Sequence, residues 1–153
     1  MSIDEIMIRE ALAVAELAGQ NGEVPIGAVL VDGDGNILAK AANRTETDRS
    51  AVAHAELLAI AEGCKQRKSR RLLDCTIYTT LEPCPMCAGA IASARIGRVV
   101  FGAKDPRAGA YGSLIDLSVL PLESKPQVTS GVLAEECLEP IRRFFQERRK
   151  QSK

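Results

Sequence analysis

Two short segments of the sequence carry side chains that can bind a metal and move a proton. His54-Ala55-Glu56 supplies an imidazole and a carboxylate, and Pro83-Cys84-Pro85-Met86-Cys87 supplies two thiols. A catalytic zinc ion takes three protein ligands and keeps its fourth position for water, whereas a structural zinc ion takes four. His54 is the only histidine of the chain, so His54, Cys84 and Cys87 form a ligand set for one Zn²⁺ per subunit.

Glu56 is the candidate catalytic residue. It lies two residues beyond His54, so it can approach the metal without binding it, take a proton from the water that zinc activates and deliver it to the substrate. Either segment alone carries less information, because His-x-Glu also occurs as an ordinary helix pair and Cys-x-x-Cys also fits a structural zinc knuckle or a redox pair. Together they favour a catalytic zinc site.

Helix starts are expected to position both segments. Ser50 can cap a helix over roughly Ala51 to Gln66, which places His54 and Glu56 in its first turns. The β-branched and aromatic run from Thr76 to Thr80 predicts a strand that leads into a helix from Cys84 or Pro85 to about Ser93. The positive end of that helix favours the thiolate form of both cysteines.

The remaining elements predict a single domain over residues 1–153 with an α/β fold. Hydrophobic spacing and turn residues indicate a capped first helix, a β-hairpin, two further strands and a last helix that Pro140 should kink or divide. Strands that alternate with helices indicate a three-layer α/β/α sandwich with a mixed, roughly five-stranded sheet. These segments are Ser2 to Asn21, Gly27 to Val31 with Ile37 to Ala42, Arg98 to Phe101, Gln127 to Ser130, and Leu133 to Arg149.

Composition limits the classes of protein. Twenty basic and twenty acidic residues cancel, so net charge by itself gives no support for nucleic-acid binding. The apolar runs are too short for a membrane span and the acidic N-terminus does not resemble a secretory signal, so we expect a cytoplasmic protein. Five cysteines without an export signal favour reduced thiols or metal ligands, and we assign no function to Cys64, Cys75 and Cys137.

Several segments together resemble the bacterial tRNA-specific adenosine deaminases of the cytidine/deoxycytidylate deaminase superfamily. His-x-Glu followed by Pro-Cys-x-x-Cys is the signature of zinc-dependent deaminases in general. The segments that resemble the tRNA enzymes are Glu23 to Val29, Ala53 to Glu56, Leu81 to Ala90 and Phe101 to Leu114, and the likeness covers nearly the whole chain. The last segment is the most discriminating, since cytidine, cytosine and guanine deaminases share the metal motif.

The resemblance implies a substrate, a partner and further site residues. The product is inosine at the wobble position of a tRNA anticodon loop, and the family implies a homodimer in which each loop touches both subunits. Asn43 would bond the flipped adenine, Ile26 and Ala55 would belong to its pocket, and Asp105 would contact the backbone beside it. From the sequence alone, Asn43 and Asp105 read equally well as ordinary turn residues.

Departures from the family pattern keep two alternatives open. Glu123-Ser124-Lys125-Pro126 stands where the family carries an Asn-His pair, and Tyr111 is bulkier than the usual residue. One alternative is a deaminase of a free nucleobase such as guanine or cytosine, which would share every metal residue. The other is a non-catalytic zinc-containing RNA-binding module, against which the presence of Glu56 argues. Basic clusters at 65–71 and 142–150 could face RNA or simply be solvated.

Overall fold

The structure is a computed structural model that describes residues 1–152, and helices and strands alternate along most of the chain. In chain order the elements are α1 Ile3–Gln20, β1 Gly27–Val31, β2 Ile37–Ala42, α2 Ala55–Arg67, β3 Thr76–Leu81, α3 Pro85–Ser93, β4 Arg98–Ala103, a 3-10 turn Leu117–Val119, β5 Gln127–Thr129 and α4 Ala134–Gln151. Among these residues no helix has both the length and the apolar character needed to cross a membrane.

The strands form one mixed sheet of five strands in the order β2-β1-β3-β4-β5, which confirms the predicted α/β class. β1 is antiparallel to β2 and to β3, whereas β3, β4 and β5 are parallel. The carboxyl ends of β3 and β4 therefore meet at one edge of the sheet. The same edge holds the start of β1 and the end of β2, because Gly27 pairs with Ala42. The loops that follow parallel strands at such an edge are where α/β proteins bind ligands.

Helices cover both faces of the sheet, as the alternation along β1 shows. Ala28 and Leu30 join one core with α2 and α3, whereas Val29 and Val31 join a second core with α1 and α4. All of β1 is buried, as expected for a central strand with helices on both sides. The three-layer α/β/α prediction is confirmed, and α2 and α3 share one face of the sheet.

The second helix begins later than predicted. α2 starts at Ala55 instead of Ala51, and Ser50 lies in a turn where its hydroxyl accepts a hydrogen bond from the Val52 N–H at 3.4 Å. Serine can satisfy a local turn as readily as a helix end, so sequence alone does not separate the two. His54 is the N-cap, with extended backbone at φ −77° and ψ 148°. The imidazole therefore sits at the helix entrance and not in its first turn.

The last helix crosses Pro140 without dividing in two, contrary to one of the predicted outcomes. α4 is a single helix from Ala134 to Gln151. Proline lacks the N–H donor and its ring crowds the carbonyl four residues earlier, but tertiary packing can outweigh that cost. Both Pro140 and Cys137, one turn earlier, are buried, so packing holds the helix at this position.

An ion pair attaches the start of α1 to the sheet. Ser2 and Glu5 form the predicted capping box, and between them Asp4 meets Arg98 of β4 with an N–O distance of 2.6 Å. Tyr78 of β3 also donates its hydroxyl to Asp4 at 2.9 Å. The hydrogen bond from Arg98 lowers the pKa of Asp4, although burial opposes the shift. Burial and the hydrogen bond to Asp4 raise the pKa of Tyr78 to about 12.

We predict that Asp4→Asn destabilises the fold in a pH-dependent way. The loss at pH 7 should be about 1–3 kcal/mol of unfolding free energy, because hydrogen bonds to a charged group are lost. Since the pKa of Asp4 is lowered in the folded state, its contribution is present above the unfolded value of about 3.9 and disappears as the pH falls through the folded value. Urea unfolding at several pH values should therefore show a gap between the variant and the wild type that closes in acid.

Asp34→Asn is the matched control, because Asp34 is exposed in the hairpin turn. It should leave the unfolding free energy nearly unchanged at every pH. An Asp4→Asn gap that persists undiminished in strong acid would contradict the assignment of the effect to the Asp4 charge.

Candidate functional site

Loops and helix starts converge at the sheet edge where β3 and β4 end. Ile26 directly precedes β1, Asn43 directly follows β2, and Asp105 follows β4 after one intervening residue. The starts of α2 and α3 reach the same region, since His54 is the N-cap of α2 and Cys84 is the N-cap of α3. Segments far apart in sequence are therefore brought to one place by the sheet topology.

A cluster of three possible metal ligands lies at the two helix starts. The Nδ1 atom of His54 is 3.7 Å from the sulfur of Cys84 and 3.5 Å from the sulfur of Cys87. The three ligand atoms all lie within 4.8 Å of one another. Tetrahedral zinc with bonds of about 2.3 Å to sulfur and about 2.0–2.1 Å to nitrogen requires nitrogen–sulfur separations of about 3.6 Å. The cluster is therefore compatible with one zinc site.

The electrostatics of the cluster favour a thiolate. Hydrogen bonds from Cys87 and from the His54 imidazole together lower the pKa of Cys84 to about 4, although burial opposes the shift. The hydrogen bond to Cys84, together with burial, raises the pKa of Cys87. A coordinating cation deprotonates a thiol outright, so metal binding favours the thiolate of Cys87 as well. Both cysteines also lie at the positive end of α3, which acts in the same direction.

Glu56 lies beside the cluster in the first turn of α2 and is 4% exposed. Burial raises the pKa of its carboxyl, and the negative charge on Cys84 adds to the shift. A carboxyl group whose pKa is raised holds a proton more readily than an ordinary carboxyl, which suits a group that takes up and returns a proton. Its position next to the three ligand residues fits a proton carrier better than a fourth ligand.

A cavity of about 210 Å³ opens next to the metal cluster. Every predicted site residue except Cys87 lines this cavity; they are Ile26, Asn43, His54, Ala55, Glu56, Cys84 and Asp105. Cys87 is fully buried and reaches the cluster from the first turn of α3. Residues that the sequence did not single out also contribute to the wall; they are Val24, Thr45, Leu81, Glu82 and Ala108.

Asn43 is held in one orientation. Its side-chain N–H donates to the carbonyl of Val24 at 3.3 Å, and its side-chain oxygen accepts the Thr45 N–H at 3.1 Å. Asparagine has two amide protons and two lone pairs, so one donor and one acceptor position remain. Asn43 can therefore offer a fixed polar group to a molecule in the cavity.

Two buried glutamates that sequence reasoning missed hold the loops around the cavity. Glu23 is 2% exposed and accepts the Thr47 N–H at 2.7 Å and the Thr47 hydroxyl at 2.6 Å. Burial raises the pKa of Glu23, but the hydrogen bonds from Thr47 and Glu46 outweigh it and lower the pKa. Glu82, also 2% exposed, binds the loop that contains Asp105. A usable signal is an acidic residue one or two positions before a proline, as in Glu23-Val24-Pro25 and Glu82-Pro83.

The C-terminal basic cluster is largely engaged in contacts within the protein. Three ion pairs have N–O distances of 3.4 Å for Arg142–Glu135, 3.8 Å for Arg143–Glu16 and 3.8 Å for Lys150–Glu147. Arg148 donates a hydrogen bond to the Gly22 carbonyl at 3.3 Å. Exposed pairs of this kind contribute about 0–1 kcal/mol each and exchange partners easily. A role of this cluster in RNA binding stays a prediction.

Comparison with known proteins agrees with this geometry. Residues 1–103 match the cytidine and deoxycytidylate deaminase zinc-binding region. The chain is 48% identical to the tRNA-specific adenosine deaminase of Bacillus subtilis (strain 168), an alignment that covers 100% of this chain and 95% of the relative. It is 47% identical to the enzyme of the same name from Haemophilus influenzae (strain ATCC 51907 / DSM 11121 / KW20 / Rd), over 98% of this chain and 87% of the relative.

A solved structure from work on A-to-I editing by tRNA:A34 deaminases is also similar. It superposes with a TM-score of 0.85 at 42% identity and covers 88% of this chain and 98% of its own. The match therefore extends over the whole fold and is not confined to the metal motif. The chain belongs to the cytidine and deoxycytidylate deaminase family and, within it, to the tRNA-specific adenosine deaminases.

Proposed function

We propose that this protein is a zinc-dependent hydrolase that converts adenosine to inosine at the wobble position of tRNA. One observation carries the proposal. A single small cavity is lined by His54 and Cys84 of the metal cluster, by the buried carboxyl of Glu56 and by the fixed amide of Asn43. The full-length similarity to tRNA-specific adenosine deaminases supports the choice of substrate.

In this proposal His54, Cys84 and Cys87 hold one Zn²⁺ through one nitrogen and two sulfur atoms. Zinc with three protein ligands supplies a nucleophilic water at neutral pH. The two thiolates and the neutral imidazole balance the charge of the ion. The positive ends of α2 and α3 lie at the cluster and stabilise the negative charge on its ligands.

Glu56 moves the protons of the reaction. Its carboxylate accepts a proton from the attacking water and delivers it to N1 of the adenine ring as the new bond to C6 forms. The same carboxyl then takes the remaining proton of that water from the C6 hydroxyl and passes it to the amino group. The bond between C6 and that nitrogen breaks, ammonia leaves and the oxygen on C6 becomes the carbonyl of inosine. Burial of Glu56 suits both steps, because a raised pKa makes the carboxyl an effective acid after it has acted as a base.

The remaining cavity residues bind the base. Ile26 and Ala55 supply apolar walls, and Asn43 hydrogen-bonds the ring with the donor or acceptor that its internal contacts leave free. Asp105 lies at the opening that the loop after β4 provides, where it contacts the backbone of the flipped nucleotide. Its own side chain accepts the Arg107 N–H at 3.0 Å, which fixes the turn.

The size of the cavity is suited to a single base. At about 210 Å³ it lies below the roughly 300–1,000 Å³ of pockets that enclose drug-sized ligands, so one base fits and the sugar and phosphates stay outside. Turning a base out of an anticodon loop also costs less than removing it from a duplex. The lower cost favours an unpaired base over a paired one, and the choice of the wobble adenosine rests on the full-length similarity to tRNA-specific adenosine deaminases.

We further propose that the working form is a cytoplasmic homodimer. The segment after the Asp105 loop exposes several apolar side chains, and Met86 on α3 is exposed as well. The segment's exposed residues are Leu114, Ile115, Val119, Leu120 and Leu122. Clustered exposed apolar residues are typical of surfaces that a partner covers. A second copy of the chain on this side would also bring its own residues close to the RNA.

We predict that Cys84→Ser, Cys87→Ser and His54→Ala each reduce the zinc content from one ion per chain to a small fraction. A hydroxyl is a poorer ligand than a thiolate, and the alanine removes the only imidazole. Metal analysis after dialysis against a chelator measures the effect. Cys64→Ser, at a half-buried cysteine outside the cluster, is the control and should keep its zinc. Full zinc retention by all three variants would rule out this ligand set.

We predict that Glu56→Gln keeps zinc and fold but lowers the deamination rate by about 10²–10⁴-fold, because the proton carrier is lost. Inosine formation, zinc content and circular dichroism should be measured on the same preparation. Glu62→Gln, at an exposed position of the same helix, should retain the wild-type rate. A fully active Glu56→Gln enzyme would require another proton carrier.

The substrate is tested with an anticodon stem-loop that carries a wobble adenosine. We predict inosine from the open loop, and little or none from the same strand annealed to its complement or from free adenine, guanine and cytosine. If ammonia forms only from a free base, the proposed zinc chemistry stands but the proposed substrate is wrong. Tight zinc and RNA binding with no deamination of any of these compounds would instead indicate a non-catalytic module.

A further inference from the structure

Glu82 occupies the junction between β3 and the metal-ligand segment. It is 2% exposed, and both of its carboxylate oxygens accept hydrogen bonds from one loop, residues 105–113. Oε1 accepts the Asp105 N–H at 3.1 Å and the Ser113 hydroxyl. Oε2 accepts the Tyr111 N–H at 2.9 Å and the Ser113 N–H at 3.2 Å. Donors at both ends of the loop therefore meet on a single buried side chain.

Gly109 shows how closely this loop wraps around the carboxylate. A Cβ atom at residue 109 would overlap the carboxylate carbon and both oxygens of Glu82. The neighbouring Ala110 N–H donates to the carbonyl of Pro83 at 2.8 Å, so the loop is also tied to the residue just before Cys84. The loop and the metal-ligand segment therefore form one hydrogen-bonded unit around Glu82.

That unit forms part of the cavity wall. Asp105 and Ala108 line the cavity from the loop, and Glu82 itself lines it from the end of β3. Because the Asp105 N–H is bound to Glu82, the position of the Asp105 backbone relative to the metal cluster depends on that hydrogen bond.

We propose that Glu82 is a positioning residue for the RNA substrate: it fixes Asp105 and the 105–113 loop in the cavity wall, so that Asp105 can hold the backbone of the flipped nucleotide. This rests on the proposed function. Glu82 acts through Asp105 and takes no part in the proton transfers. A buried side chain that accepts four hydrogen bonds from one loop is suited to such a role, because these bonds hold the loop at both of its ends.

The contact geometry makes Glu82→Gln a selective variant. If its side-chain oxygen takes the Oε2 position, the Tyr111 and Ser113 amides keep their acceptor, and the new amide group donates to the Ser113 hydroxyl. Only the Asp105 N–H then loses its partner. The opposite orientation leaves both the Tyr111 and the Ser113 N–H groups without an acceptor, so it is disfavoured. The variant therefore removes mainly the hydrogen bond to the Asp105 N–H.

The experiment is a double-mutant cycle on the wobble-adenosine stem-loop with Glu82→Gln and Asp105→Ala in the full chain. We expect Glu82→Gln to raise KM about 10-fold with kcat within about 2-fold of the wild type, since uniform binding is lost and chemistry is retained. The double variant should have nearly the KM of Asp105→Ala, because both changes remove the same contact.

Glu23→Gln is the matched control, because Glu23 is equally buried and holds the opposite loop through Thr47. Its effect on KM should multiply with that of Asp105→Ala. The proposal would be overturned if the effects of Glu82→Gln and Asp105→Ala on KM multiply in the double variant, or if Glu82→Gln has the wild-type KM. If Glu82→Gln does not fold, Ser113→Ala removes one of the four hydrogen bonds and should raise KM about 2- to 3-fold; an unchanged KM would count against the role of Glu82.

Hydrogen–deuterium exchange separates this inference from the proposed function. Peptides covering residues 105–113 should exchange faster in Glu82→Gln than in the wild type, whereas β4 and α3 should not change. A wild-type protein that forms no inosine would refute the proposed function, and the exchange result would still decide whether Glu82 orders the loop. Unchanged exchange in a folded Glu82→Gln protein would refute the positioning role even if the enzyme is active on RNA.

Discussion

The close approach of two helix N-termini on one face of the sheet is the constraint on which the site depends. His54 begins α2 and Cys84 begins α3, and their ligand atoms must lie within a few ångströms to share an ion. Small side chains beneath the site make this approach possible, since Ala55 and Ala88 are almost completely buried. The same arrangement brings the positive ends of both helices to a place where thiolates and a carboxylate must be accommodated.

The buried carboxylates around the cavity show how environment separates similar groups into different roles. Glu23 is surrounded by N–H and hydroxyl donors from Thr47 and Glu46, which lower its pKa in spite of burial. Glu56 lies beside the negative Cys84 and is dominated by burial, so its pKa is raised. A glutamate that stays charged holds a loop in place, whereas one that gains a proton easily can take part in proton transfer. Glu82, like Glu23, accepts several hydrogen bonds from a loop at the cavity, which is why we assign it a positioning role.

The sheet topology links this chemistry to substrate binding. Because β3 and β4 are parallel and β1 is antiparallel to both β2 and β3, the start of β1 and the ends of β2, β3 and β4 all lie at one edge. Ile26, Asn43 and Asp105 lie in the loops at that edge and meet the starts of α2 and α3 there. The metal cluster lies on one side of the cavity and loops from several strands form the other sides, so different residues contribute to the zinc site and to the binding of the base. The zinc motif by itself therefore does not specify the base, whereas the similarity over the whole chain indicates a tRNA-specific adenosine deaminase.

The sequence by itself determined the ligand types and the layer architecture, and it indicated a candidate proton carrier. A single histidine and one Cys-x-x-Cys leave little choice of ligands, and hydrophobic periodicity follows directly from which face of an element is buried. The tertiary structure decided the rest: that α2 starts at Ala55, that α4 passes through Pro140, and that Glu23 and Glu82 are buried anchors for loops. The physical reason is that hydrogen-bond partners such as Glu82 and Tyr111 lie far apart in sequence. A local pattern reports the propensity of a segment, but only the folded chain determines which donor meets which acceptor.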